Sequence, residues 1–167
     1  MNGELILVAV DFSEVSQRVY EVAADMAAHL GARVRVVNVS EPAVDYVGVA
    51  PPQAYAMSEE SVRKIADARL SAAREYFESQ RVVVEVVHRW GQPVGTILEE
   101  LERSGAGMVV LGSHGHGALY NLLVGSVAEG VLRHARVPVL VVPAPSRVAG
   151  AGGEAGAGAP ACAAEKT

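Results

Sequence analysis

Short runs of apolar, β-branched residues alternate along this chain with longer stretches in which apolar residues recur at helical spacing. Leu5–Val10 is a continuous apolar run of strand length, the pattern of a parallel strand buried on both faces. From Ser16 to Leu30, apolar residues fall at Val19, Val22, Ala23, Met26 and Leu30, which predicts a helix, and Gly31 stands where a C-cap glycine belongs. Val34–Val39 reads as a second strand. A second helix is predicted from about Ser58, an N-cap hydroxyl followed by Glu59 and Glu60, with Val62, Ile65, Ala66, Ala73 and Phe77 on its apolar face.

Val82–Val87 predicts a third strand. Pro93 suits the first position of a helix carrying Val94, Ile97, Leu98 and Leu101. Met108–Leu111 is a fourth strand ending at Gly112. A helix over Ser126–His134 presents Val127, Val131, Leu132 and Ala135, and Pro138–Val142 is a fifth strand whose prolines suit a sheet edge. Five strands joined by helical crossovers predict an α/β fold: one parallel sheet with helices on both faces. Ligands of such sheets bind at the carboxyl ends of strands where the strand order reverses, which directs attention to the segments after Val10, Val39 and Leu111.

Two segments stand apart. Residues 41–57, with Pro42, Pro51 and Pro52, make a connection long enough to be functional or mobile, and its Tyr46, Tyr55 and Met57 suit shielding a ligand or covering the sheet. Of the last 24 residues, 16 are Ala, Gly or Pro, too little apolar surface to order themselves, so 1–144 is read as the domain and 145–167 as a disordered tail.

Composition narrows the partners. Half of the 167 residues are apolar, enough for a real core, and the net charge of −5 with scattered Lys and Arg argues against a nucleic-acid backbone. The one cysteine, Cys162, rules out an internal disulfide and fits a reducing compartment. It lies in the tail with no basic neighbour to activate it. The start of the chain has neither a basic n-region nor a small-residue cleavage site, and no apolar run approaches the roughly 20 residues of a membrane helix. A cytoplasmic protein without membrane contact is expected.

The chemistry concentrates after the fourth strand. Gly112, Ser113, His114 and Gly115 are followed, nine residues later, by Gly125 and Ser126 at the start of a helix. Glycines let backbone N–H groups approach anionic oxygens, and a helix N-terminus adds unpaired donors and the positive end of a dipole. Any one of these glycines is equally at home in an ordinary α/β turn. Together, in a strand–loop–helix context, they point to phosphate. Ser126 suits a hydroxyl bond to phosphate and also the role of ordinary N-cap. Asp11, between strand and helix, suits a ligand-binding role and N-capping alike. His114 and His116 make a poor metal site, having no nearby Cys or acidic cluster. No Walker A lysine follows the glycines, which excludes a P-loop NTPase. A phosphorylation receiver is excluded because His88 and Arg89 stand where strand three would need an Asp. Trp90 begins a turn and is read as packed or partly exposed.

The spacing Gly112-x2-Gly115-x9-Gly125-Ser126 resembles the ATP loop of universal stress proteins. Gly125–Glu129 followed by Val137–Val142 is similar to that family's ending, and Val8–Asp11 with Ser13 resembles its first-strand signature. The likeness runs from about Leu5 to Pro143. It implies a single open twisted sheet of order 3-2-1-4-5 of the adenine nucleotide alpha hydrolase-like kind, and a homodimer paired through the last strand, Val137–Val142. It also implies the ATP-binding subgroup, since the glycine loop is complete. Position by position, Asp11 would hold the ribose hydroxyls, with Ala9 and Ser13 beside the nucleoside, and Val39 would offer backbone bonds to the adenine edge. Gly112, Ser113, His114, Gly115, His116 and Gly117 would wrap the phosphates from one side, and Gly125, Ser126 and Val127 from the other. His116 departs from the Arg or Lys of many relatives and would leave a pH-dependent charge there. The function implied is that of a dimeric, nucleotide-dependent stress-response regulator with ATP, accompanied by Mg²⁺, as its ligand and with downstream protein partners. A slow ATPase using the same pocket and an interaction module without nucleotide are the alternatives.

Overall fold

The computed structural model describes residues 5–42, 58–113 and 124–144. Within them the chain forms β1 (Leu5–Val10), α1 (Ser16–Leu30), β2 (Arg33–Ser40), α2 (Glu59–Ser79), β3 (Val84–Trp90), α3 (Pro93–Ser104), β4 (Met108–Gly112), α4 (Ser126–His134) and β5 (Val139–Val142). All neighbouring strands run parallel in the order β3-β2-β1-β4-β5. The tail after Ala144 and most of the 41–57 connection lie outside the described residues.

Strand alternation divides the core into two layers. Ile6, Val8, Val34, Val36 and Val110 pack with Val19, Tyr20 and Ala23 of α1 and Leu70, Ala73 and Phe77 of α2. Leu7, Ala9, Val37, Val109 and Leu111 point the other way, to Ile97 and Leu101 of α3 and Ala128 and Val131 of α4. Two crossovers on each face of the sheet follow from right-handed connections that build outward from β1 in one direction and from β4 in the other.

Helix ends follow local chemistry. The Ser58 hydroxyl accepts from the Ser61 N–H at 3.2 Å and starts α2. Gly31 and Gly105 adopt φ of 61° and 64° and end α1 and α3 in the left-handed conformation that glycine takes without strain.

Three sequence expectations shift. β3 begins at Val84 rather than Val82, because the Val82 N–H is drawn back to the Phe77 carbonyl (3.0 Å) as the chain leaves α2. It also continues through the polar residues His88 and Arg89 to Trp90, each paired with β2. In α2 the buried stripe is Ala66, Leu70, Ala73 and Phe77, leaving Ile65 one residue off the stripe and 44% exposed. In α4 the same offset exposes Leu132 while Ala128 and Val131 are buried.

The second layer also holds a buried charge. Glu100 of α3 is 2% exposed. Its carboxylate accepts from Arg35 at 3.0 Å and Arg89 at 3.1 Å, and also from Arg103. Arg35 reaches on to Glu85. Burial pushes the Glu100 carboxyl up, but the Arg103 hydrogen bond and the charges of Arg89 and Arg103 outweigh it and hold it below the usual carboxylate range.

Candidate functional site

The sheet order reverses between β1 and β4: the chain leaves β1 toward β2 on one side and β4 toward β5 on the other. Ala9 pairs with Leu111 across that junction, so Asp11 and Ser113 leave the sheet from adjacent strands at the same end. A crevice at this position is where open α/β sheets take ligands.

On the β1 side, Asp11 is exposed, and its Oδ1 accepts from the Ser13 N–H at 3.0 Å. The Ser13 carbonyl in turn accepts from the Ser16 N–H at 3.0 Å. Asp11 therefore closes a tight side-chain turn and does not cap α1, whose N-cap position is Val15 with no side-chain cap bond. Phe12, between them, has φ of 61°, an uncommon conformation for a bulky side chain. Among the described residues, the buried hydroxyls of Ser13 and Ser16 find no hydrogen-bond partner.

On the β4 side, Ser113 is the junction. Its N–H donates to the Val142 carbonyl at 2.7 Å, its carbonyl accepts from the Gly125 N–H at 2.6 Å, and its hydroxyl accepts from the Ala144 N–H at 3.1 Å. One buried residue thus ties the β4 exit to the β5 exit and to the start of α4. Gly125 is the extended N-cap of α4, so Ser126 is the first helical residue and not the cap. Ser126 is exposed and Val127 half-buried. The two ends of the glycine loop meet, and the positive end of α4 opens beside the end of β4. His114, Gly115, His116 and Gly117 lie outside the described residues, as does Cys162.

On the β2 side, Val39 packs its side chain toward the α3–α4 layer. The β1–β2 register ends at Val10 and Asn38, so Val39 is one residue past the last pair. The Ser40 carbonyl accepts from Gly91 on the β3 side, and backbone alternation along the strand therefore turns Val39's N–H and C=O toward β1.

Asn38 is a residue that sequence reasoning passed over. It is 5% exposed and its amide donates to the Val10 carbonyl at 2.9 Å, fixing the last residue of β1 before Asp11. An uncharged polar residue near the end of the run Val34–Val39, where the other non-apolar position is the charged Arg35, was the available signal. His88 approaches the Ser40 hydroxyl at 2.9 Å and stands edge-on to Trp90 at 5.1 Å, which closes the β3 end. Burial pushes the His88 imidazole below its ordinary pKa.

Among the described residues no three His, Cys, Asp or Glu side chains gather to hold a metal, and no helix is long and apolar enough to cross a membrane.

Residues 4–143 match the model of the universal stress protein family. A universal stress protein of Thermus aquaticus is 33% identical over 143 residues, covering 82% of this chain and 96% of that protein. One from Methanocaldococcus jannaschii is 29% identical over 150 residues, covering 87% and 88%. Among solved structures, the universal stress protein from Archaeoglobus fulgidus in complex with dAMP superposes with a TM-score of 0.64 at 25% identity, covering 84% of this chain and 98% of that one.

Proposed function

Because the chain belongs to the universal stress protein family, we propose that it is a nucleotide-dependent stress-response regulator whose ligand is ATP. The nucleotide lies across the carboxyl ends of β1, β2 and β4. The observation that carries this reading is the Gly125–Ser113 hydrogen bond of 2.6 Å, which closes the glycine loop and sets the N-terminus of α4 at the topological switch. Phosphates sit against the α4 N-terminus, Gly112, Ser113 and the 114–117 segment, with the Ser126 hydroxyl within the same shell. Asp11 takes the ribose hydroxyls and Val39 presents its backbone to the adenine edge, with Ala9, Ser13 and Val127 lining the pocket. The dAMP complex of the Archaeoglobus fulgidus relative supports the choice of an adenine nucleotide. Mg²⁺ arrives with the phosphates, and the hard oxygens of Asp11 and water suit it.

The protein works as a cytoplasmic homodimer. Among the described residues β5 lies at the sheet edge beside β4, and its half-buried Val139, Leu140 and Val141 offer a second copy an apolar pairing edge. Sedimentation of the purified protein as a monomer at all accessible concentrations would remove this part of the reading.

A melting experiment with Mg-ATP tests the ligand. Binding to the folded state alone stabilises it by about 2.7 kcal/mol at a hundred times the Kd. An unmoved melting temperature at millimolar Mg-ATP would contradict the assignment.

A further inference from the structure

The turn carrying Asp11 is held in an unfavourable backbone conformation from outside the crevice. Phe12 stands at φ of 61°. For a residue with a bulky side chain the left-handed region is a genuine outlier, and such outliers persist only where neighbouring structure over-determines them. The neighbour here is Arg69 of α2, 57 positions along the chain. Its guanidinium donates to the Phe12 carbonyl at 3.1 Å, and its central carbon lies 5.5 Å from the centre of the Phe12 ring. One side chain thus grips both the carbonyl and the ring of the strained residue, a hydrogen bond and a cation–π contact acting together. The residue so gripped connects Asp11 to Ser13, whose N–H is bound by the Asp11 carboxylate at 3.0 Å. Asp11 and Arg69 also act on one neighbour: both charges reach the Tyr20 hydroxyl, the arginine opposing and the aspartate reinforcing its rise.

We propose that Arg69 is a positioning residue for the nucleotide site, clamping Phe12 in the left-handed conformation and so directing the Asp11 carboxylate into the crevice. This deepens the function proposed above and rests on it. Without the clamp, Phe12 relaxes toward the ordinary right-handed or extended regions, the Asp11 turn opens, and only a fraction of the molecules remains competent. Apparent affinity falls by that fraction. Glycine at position 12 would hold the same φ without assistance, so a Phe12→Gly change makes the clamp dispensable. This separates a backbone effect from loss of positive charge, which glycine does not replace.

The test is Mg-ATP titration calorimetry on the full chain, with amide hydrogen exchange of the Ser13 N–H followed in the same variants. Arg69→Met weakens ATP by about tenfold, the scale of an unfavourable left-handed residue. Arg69→Lys, keeping charge and one donor without the planar stack, falls between. Arg69→Met combined with Phe12→Gly returns to within about twofold of the parent. Ser13 exchange accelerates in Arg69→Met and slows again in the double variant. Parental affinity in Arg69→Met overturns the proposal, and so does a double variant that binds as weakly as Arg69→Met alone. A parent chain that binds no ATP overturns the proposed function instead. The exchange data then decide the clamp alone: faster Ser13 exchange in Arg69→Met upholds it, and unchanged exchange overturns it.

Discussion

The Gly125 N–H donates to the Ser113 carbonyl at 2.6 Å, so a loop of eleven intervening residues begins and ends at one point. The helix that starts there begins at the exit of β4, the strand paired with β1, which leads into the turn of Asp11. In the function proposed above, phosphate recognition and the closure of the loop use the same piece of backbone.

Gly125→Asp separates the two. The N-cap conformation, φ −73° and ψ 159°, is open to any residue, and aspartate caps helices well. The melting temperature without ligand should stay level or rise, while Mg-ATP should no longer raise it, because a carboxylate then stands where phosphate would. A variant that keeps its ATP-dependent shift would remove Gly125 from the site.

Asn38→Asp should destabilise the protein by about 2–3 kcal/mol, since a buried donor to the Val10 carbonyl is lost and a carboxylate is buried against that oxygen. Urea unfolding of the variant, with an unchanged m-value, measures it. A loss under 0.5 kcal/mol, roughly surface-substitution scale, would mean that Asn38 does not hold the end of β1.

Glu100→Gln leaves Arg35, Arg89 and Arg103 around a neutral amide. Removing one partner of a buried ion pair costs about 3–5 kcal/mol, discounted here to about 2–3 because Arg89 and Arg103 reach solvent. The pH dependence has a defined sign. The folded pKa of Glu100 lies below its unfolded value of 4.5, so its contribution is fully present above that value and is lost as pH falls through the folded pKa. Chemical denaturation from pH 6 down to 3 should show a shallower acid limb in Glu100→Gln than in the parent. Parallel limbs would contradict this.

His88 works in the opposite range. Its folded pKa is lowered from 6.5, so the unfolded chain takes up the proton first and stability declines as pH falls below about that value. The decline ends once pH passes the folded pKa. His88→Gln should remove this slope between neutral pH and 5 in a melting series, and a slope identical to the parent's would show that other groups carry it.

The fold was legible because its signals were local and redundant. Leu5–Val10 and Met108–Gly112 are apolar on both sides, as only central parallel strands are, and Gly31, Ser58 and Pro93 mark helix ends by their own chemistry. The misreadings at Ile65 and Leu132 share a cause, since a stripe of 3.6-residue period cannot be fixed to one residue when alanines form much of it. The length of β3 was hidden because His88 and Arg89 are polar, and their partners lie on other elements, Ser40 48 residues before His88 and Glu100 on α3. The glycine spacing and Asp11 pointed to the crevice, and strand pairing brings the ends of β1 and β4 together. The actual caps of α1 and α4 did not follow from position, because a side chain between strand and helix has several backbone partners in reach. Arg69 carried no sequence signal at all. Its role comes from a contact 57 residues away and from the sign of one dihedral angle.

The most direct measurement is mass spectrometry of the small molecules released when the purified protein is denatured, together with the melting temperature in Mg-ATP. ATP at about one per chain, or an empty protein stabilised by about 2.7 kcal/mol at a hundredfold excess over Kd, is the predicted result. A protein that releases no nucleotide, and whose melting temperature millimolar Mg-ATP does not move, would contradict nucleotide binding and leave an interaction module built on the same sheet.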